Sequence, residues 1–204
     1  MRVLGLDLAA ANSGSSVIEV QHPNYSFQVI HEEALHHPMA SFVNRVEAAN
    51  YVLFLADQHE VDLVVLEDYA RRFGRTNTSG YEHGEVGGMV RKGLHEAGYP
   101  FYVIPPTSMR SFMEVPPKSP KDYLETRALE RLGFESKAST KKKRSDITDS
   151  VIHAHIGSLV HILRTDGELD YPLTDAEHRI IHGDGKLEGL KDRDGIYYDS
   201  TKEK

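Results

Sequence analysis

The chain contains no cysteine. Disulfides and thiolate metal sites are therefore excluded, which fits a reducing compartment. No apolar run approaches the ~20 residues of a membrane-spanning helix. The first residues pass directly into a strand pattern, so no signal peptide is expected. There is no internal repeat. Positive charge is in deficit: Lys and Arg number 24 against 31 Asp and Glu, for a net charge of -7. A uniformly acidic surface repels nucleic acid, so any DNA binding has to use a local basic patch or bound cations. The 204 residues suffice for one well-cored domain with a modest extension.

What is present is organised around the first fourteen residues, MRVLGLDLAAANSG. Val3, Leu4 and Leu6 surround Gly5 in a short apolar run, the pattern of a buried strand. The run ends in a single carboxylate, Asp7. A charge leaving the core needs a partner. A metal ion is one such partner, and solvent at a strand end is the other. The small residues that follow leave the backbone approachable. Val17, Ile18 and Val20 predict a return strand, in a hairpin with Asp7 beside its open end. Tyr25, Phe27 and Val29 alternate as a third strand over 25–30. His31, His36 and His37 follow in loop-like sequence, at spacings that match no tight metal motif.

Phe42, Val43, Val46, Ala49, Val52, Leu53 and Ala56 recur at helical spacing. Leu63 to Leu66 then form an unbroken apolar run, as in a strand of a parallel sheet covered on both faces. It ends in Glu67 and Asp68. Glu67, the first carboxylate beyond the buried run, is the candidate to face the side that Asp7 faces. Residues 70–80, ARRFGRTNTSG, form a polar loop in which Arg71, Arg72 and Arg75 bracket Phe73. Arginines beside a stackable ring suit phosphates and unstacked bases, and they equally suit an ordinary solvated loop.

A helix is predicted over 81–98, ending at a glycine cap, Gly98. Gly84, Gly87 and Gly88 thin its first half at about 1 kcal/mol each relative to alanine. Close packing against another backbone would offset that cost. Residues 101–104 are a further buried strand. A short helix starts near Met109, and another is expected over 121–132. Residues 137–144 read as a loop with five basic residues and no acid. The wider segment 118–144 carries +5 within an acidic chain. A charge run is usually just a solvated face; its position immediately before the next motif raises the DNA-contact reading.

That motif is SDITDSVIHAHIGSLVHIL, residues 145–163. Ser145 or Asp146 can cap a helix. Asp146 and Asp149 are three apart and share one face. Acids also favour a helix start electrostatically. His153 lies on the same face one turn later. Beyond residue 163 the sequence is polar and acidic, with one short helix expected near 175–182.

Four carboxylates thus stand at the ends of two strands and on one helix: Asp7, Glu67, Asp146 and Asp149. All-oxygen donors select hard cations, Mg²⁺ or Mn²⁺. Two such ions ~3.5–4 Å apart can activate a water and stabilise the leaving oxygen of a phosphodiester. Crowded carboxylates repel, and cations make the cluster tolerable.

The order of these elements resembles the ribonuclease H-like superfamily, and more narrowly the RuvC-type Holliday junction resolvases with their phage relatives. The residues that carry the likeness are LGLDLAAANSG at 4–14, VVLEDYA at 64–70, GEVGGMVRKGLHEAGYPFYVIPPTSMR at 84–110 and SDITDS at 145–150. The likeness spans about residues 1–163, a nuclease domain, with 164–204 as a C-terminal extension outside it. It implies an α/β fold with a five-stranded mixed sheet, its first three strands antiparallel, flanked by helices. It implies a homodimer, joined by a helix–helix contact near 84–98, that cuts two strands of like polarity in branched DNA. Asp7, Glu67, Asp146 and Asp149 would be catalytic and would hold two Mg²⁺ or Mn²⁺ ions. DNA contacts would come from Arg71, Arg72, Phe73, Arg75, Arg110, Lys118, Lys121, Lys141, Lys142, Lys143 and Arg144. Arg110 and Lys121 stand closest to the family's cleavage lysines. Tyr69 or Phe73 could serve as its aromatic wedge, although Ala70 occupies the matching offset.

Two other readings compete. The first motif is also similar to the first phosphate loop of the ATP-binding actin and hexokinase superfamily. That architecture needs a duplicated half and a D-x-G-G turn, and neither is found. The other is an inactive DNA-binding module of the same fold, against which the intact acids argue.

Overall fold

The computed structural model describes residues 1–8, 13–22, 25–35, 41–68, 78–116, 118–120, 122–183, 188–192 and 197–199, without the side chains of 78–83. Chain order is β1 (Arg2–Asp7), β2 (Ser13–Gln21), β3 (Ser26–Leu35), α1 (Phe42–Gln58), β4 (Leu63–Glu67), α2 (Thr78–Ala97), β5 (Phe101–Ile104), α3 (Pro106–Phe112), α4 (Tyr123–Leu132), α5 (Lys141–Thr165), α6 (Asp175–His182) and β6 (Tyr197–Tyr198). The mixed sheet runs β3-β2-β1-β4-β5-β6. The first three strands are antiparallel, and β1, β4 and β5 are parallel. The expected sheet of five strands is corrected to six. Two residues from the far end of the chain, Tyr197 and Tyr198, pair antiparallel with Tyr102 and Phe101 on the β5 edge. Ring contacts hold them there: Phe101 stacks on Tyr198 with centroids 4.7 Å apart, and Tyr102 lies 4.6 Å from Tyr197. A two-residue strand carries no periodicity to detect.

Side-chain alternation splits the sheet into two cores. Val3, Leu63, Val65, Tyr102 and Ile104 pack toward α5. Leu4, Leu6, Val64, Leu66 and Val103 pack toward α1 and α2. Helix α5 lies almost on the sheet backbone because glycines make room for it. A Cβ on Gly5 would run into the Ser150 carbonyl, one on Gly14 into the Asp146 carbonyl, and one on Gly157 into Val65. Beyond α5 the chain returns to the same core. Ile181 and Leu190 are buried in it, and buried Glu177 accepts from Arg131 at 2.7 Å, which ties α6 to α4. No helix among the described residues is long and apolar enough to cross a membrane.

Three local expectations change. Asp7 pairs with Gly14 at the turn end of the β1–β2 hairpin, not at its open end. His31 lies in a strand rather than a loop. The β2–β3 register shifts between Val17 and Ile18, whose partners are His31 and Val29, so Ile30 is a bulge residue. The bulge turns His31 to the α1 side, against His59 with ring centroids 4.7 Å apart. Helix α5 starts at Lys141 instead of after a basic loop, and its cap is Thr140, whose hydroxyl accepts from the Lys143 amide. Asp146 and Asp149 therefore sit in its second and third turns, beyond the first-turn reach of the helix dipole.

His155 occupies the centre of the α5 core. Its Nδ1 lies 2.8 Å from the Tyr25 hydroxyl, which is 2.6 Å from Ser158 Oγ. Burial, aided by the charge of Arg131, holds its pKa down at about 3. The folded value lies below the unfolded one, near 6.5. Unfolded chains therefore take up a proton that folded chains refuse. This contribution to stability is complete above about pH 6.5 and is lost as pH falls toward 3. Urea unfolding of wild type and His155→Gln across pH 6.5 to 4.5 measures it. The wild-type advantage should shrink by about 1.4 kcal/mol per pH unit. A pH-independent difference would show that the ring is already protonated in the folded chain.

Candidate active site

Residues 3, 5 and 7 of β1 share one face, as do 63, 65 and 67 of β4. Val3, Leu63 and Val65 point toward α5. Asp7 and Glu67 are therefore delivered to the same side at the ends of neighbouring parallel strands, where they hydrogen-bond to each other. Asp68 falls on the opposite face and is held by Arg91 of α2 at 3.0 Å. Asp7 is buried, while Glu67, Asp146 and Asp149 are half-buried. Helix α5 brings the other two acids. The Asp146 backbone abuts Gly14, the cross-strand partner of Asp7, and the charge of Asp149 reaches Glu67. Burial pushes the Glu67 carboxyl up to about 7, opposed by its hydrogen bond from Asp7 and reinforced by the charges of Asp149 and Asp68. Two carboxyl groups bonded to each other share a proton in the absence of a cation.

Chemically, the donor set fits a hard divalent cation, since it consists of carboxylate oxygens whose mutual repulsion is visible at Glu67. Among the described residues no three His, Asp or Glu side chains already stand as a metal cage. An ion would replace the proton shared by Asp7 and Glu67 and draw the acids together.

The basic residues have mixed settings. Lys118 is exposed in a left-handed turn, with φ 68°, and Arg110 is half-buried in the last turn of α3. Lys141, Lys142 and Lys143 are exposed on the first turn of α5. Lys141 pairs with Asp122 at 2.8 Å, and Arg144 lies 3.7 Å from Glu125. Part of the +5 is thus neutralised by α4. Arg71, Arg72, Phe73, Arg75 and Lys121, and the wedge candidate Tyr69, lie outside the described residues. Sequence reasoning missed the role of Thr140. Its signal was a hydroxyl residue three before the amide it caps, hidden by the lysine run.

No protein-family model and no curated protein matches the chain. Solved structures do match. Thermus thermophilus RuvC superimposes with TM-score 0.60 at 20% identity, over 78% of this chain and 96% of that one. The chain has the RuvC fold. RuvC from the same source in complex with Holliday junction substrate matches with TM-score 0.58 at 20% identity, over 76% and 90% of the two chains. The fowlpox virus resolvase with its Holliday junction DNA matches at TM-score 0.44 and 14% identity. In RuvC-fold terms, the hydrogen-bonded acids terminate the first and fourth strands, and the acidic pair rides on the last long helix.

Proposed function

We propose that this protein is a metal-dependent, structure-selective endodeoxyribonuclease that resolves four-way junctions and acts on other branched DNA. The observation that carries the reading is the hydrogen-bonded Asp7–Glu67 pair, with the charge of Asp149 felt at Glu67, at the strand ends of a RuvC fold. Asp7, Glu67, Asp146 and Asp149 would hold two Mg²⁺ or Mn²⁺ ions. Bound there, the ions supply a water activated for attack and stabilise the charge on the leaving oxygen. The chain's own contribution is orientation. Paired strands fix the backbone of Asp7 and Glu67, and glycine-permitted contact fixes α5, so the elements that carry the acids are in place before loading. Glu67 must lose its proton when the site fills, so loading strengthens as pH rises through about 7.

The working unit is a homodimer in the cytoplasm of a bacterial or phage-infected cell. Gly84 and Gly88 support the dimer: among the described residues a Cβ at either would meet nothing within 4 Å. Their helix-weakening cost finds no compensation among those residues, and a second copy of α2 packed closely there would offset it.

Cleavage of a panel of synthetic four-way junctions, forks, flaps and linear duplexes with Mg²⁺ tests the function. Selective, metal-dependent cutting of the branched species is the expected result. Absence of any cutting, with junction binding intact, would instead favour an inactive DNA-binding module.

DNA binding by the first turn of α5 has its own test. Neutralising Lys141, Lys142, Lys143 and Arg144 together should weaken junction binding and flatten its salt dependence. The log-log slope should drop in magnitude by about 0.9 for each phosphate that is no longer neutralised. The drop should fall short of the full contribution of the quartet, because Lys141 and Arg144 already face Asp122 and Glu125. Cleavage at saturating protein should fall less than binding does. An unchanged slope would remove this turn from the DNA surface.

A further inference from the structure

On the sheet face away from the carboxylates, the β3 bulge does something that unbroken pairing would not. Phe27 and Val29 pack toward α5, and strict alternation would send residue 31 the same way. The bulge at Ile30 reverses this. His31 pairs with Val17, which faces the α1 core, and Ile30 is left 40% exposed. Bulges recur beside functional sites, where they re-aim a side chain.

What His31 is aimed at is a second histidine. His59 caps the C-terminus of α1, and the two ring centroids are 4.7 Å apart with their planes at 39°. The Nε2 atoms of both rings are shut off from solvent, and among the described residues neither closes a hydrogen bond. A sheltered polar atom left unmet costs about 1–3 kcal/mol. A pair of apolar side chains in an unbroken ladder would avoid that cost twice over.

Neutral imidazole prevails at neutral pH and carries a lone pair on one ring nitrogen. A cation shared between the rings would meet both nitrogens at once. Two imidazoles on one tetrahedral ion, with metal–nitrogen bonds of about 2.0–2.1 Å, hold their ring centroids about 5 Å apart. The two rings already stand close to that spacing. Local charge favours a cation as well. Glu33 Oε2 lies 3.8 Å from His31 Nε2, and it accepts from the Tyr51 hydroxyl at 2.7 Å, the kind of outer bond that orients a carboxylate beside a metal. Arg2, which donates to the His59 carbonyl, is itself paired with Glu19 and Glu60.

We infer that His31 and His59 bind a borderline divalent transition metal of the Zn²⁺ class through their Nε2 atoms, with Glu33 as the neighbouring negative charge. The ion would pin the β3 edge to the end of α1. Nitrogen donors set this site apart from the all-oxygen acids on the other face, which suit Mg²⁺ or Mn²⁺. The described residues contain no three-residue cage, so two histidines are the protein ligands and water completes the coordination.

Zn²⁺ and Co²⁺ titrations of the untagged, full-length, chelator-stripped protein in excess Mg²⁺ test the site. Every protein carries His178→Gln, because His178 and His182 stack at 4.4 Å one turn apart on α6 and can chelate the same ions. The expected result is one equivalent of Zn²⁺ that depends on both histidines, a thermal midpoint that rises with added Zn²⁺, and the intense visible absorption of four-coordinate Co²⁺. His31→Gln and His59→Gln should each weaken that binding by at least about 10–100-fold, the loss that follows removal of even an outer partner of a ligand. Each should also cancel the rise in midpoint. Without metal both should melt close to the parent, since no hydrogen bond of an ε nitrogen is lost. If His31→Gln fails to fold, His59→Gln, at the helix end, carries the test. A parent protein with no saturable Zn²⁺ binding would overturn the inference, as would binding that the folded histidine variants retain in full. Only the weak absorption of six-coordinate Co²⁺ would overturn it too.

Discussion

Asp7→Asn should bind four-way junctions as well as wild type and cut them at least about 10³-fold more slowly. The same is expected of Glu67→Gln, Asp146→Asn and Asp149→Asn. A metal-held water and a stabilised leaving oxygen are worth several kcal/mol of barrier, and each 1.36 kcal/mol is tenfold in rate. Binding rests on phosphate contacts elsewhere, and loss of one negative charge favours it slightly. Asp68→Asn is the control. Asp68 sits on the other face, paired with Arg91, and its neutralisation should leave cutting within a few-fold of wild type. Single-turnover cleavage beside a gel-shift titration separates the two effects. A dead Asp68→Asn with an active Glu67→Gln would mean that the β4 side chains face the other way.

Glu67→Gln carries a second signature that needs no DNA. The raised folded pKa of Glu67 means that its contribution to stability is complete below the unfolded value, near 4.5, and is lost as pH rises through about 7. At pH 8 without metal the ionised side chain costs stability. Glutamine should therefore raise the unfolding free energy by about 1–3 kcal/mol there, discounted for partial exposure, and by much less at pH 5. Added Mg²⁺ should stabilise wild type more than the variant.

That contrast depends on strand parity. Four consecutive apolar residues ending in Glu67-Asp68 show no alternation and left two choices in the sequence, of which Glu67 was taken as the first carboxylate beyond the run; the packing of Leu63 and Val65 toward α5 puts Glu67 on that side. Parity was not legible at β3, where the bulge at Ile30 breaks the period and hides His31 in what reads as a loop. The long helix was readable over 145–163 by the 3.6-residue period of its apolar stripe from Ile152 to Leu163. Its true start was not, because three lysines at a helix N-terminus oppose the dipole and resemble a solvated loop. Only the Thr140 cap and the pairing of Lys141 and Arg144 with α4 acids reveal the first turn. The convergence of the acids could be guessed from order and spacing.

Gly14 shows how far a small residue can be misread from sequence, and it gives the other large expected effect. Read alone, it keeps a loop approachable. In the fold it is the seat of α5: a Cβ there would collide with the backbone of Asp146, its carbonyl and the following amide. Backbone cannot swing aside as the tip of a flexible side chain can. Gly14→Ala should therefore cost toward 3 kcal/mol, the upper end of the usual overpacking range. The strain is relieved only by lifting the start of α5 from the sheet, which carries Asp146 and Asp149 away from Asp7 and Glu67. A displacement of about 1 Å is enough to lose 10²-fold in rate. Urea unfolding and junction cleavage should thus fail together in Gly14→Ala, whereas the carboxylate variants lose cutting with the fold intact. Gly84→Ala, where the added methyl meets no atom of the described residues, should leave monomer stability unharmed or slightly improved. Normal stability and cutting in Gly14→Ala would show that α5 does not rest on β2 as described, and the acids would then need another route to one another.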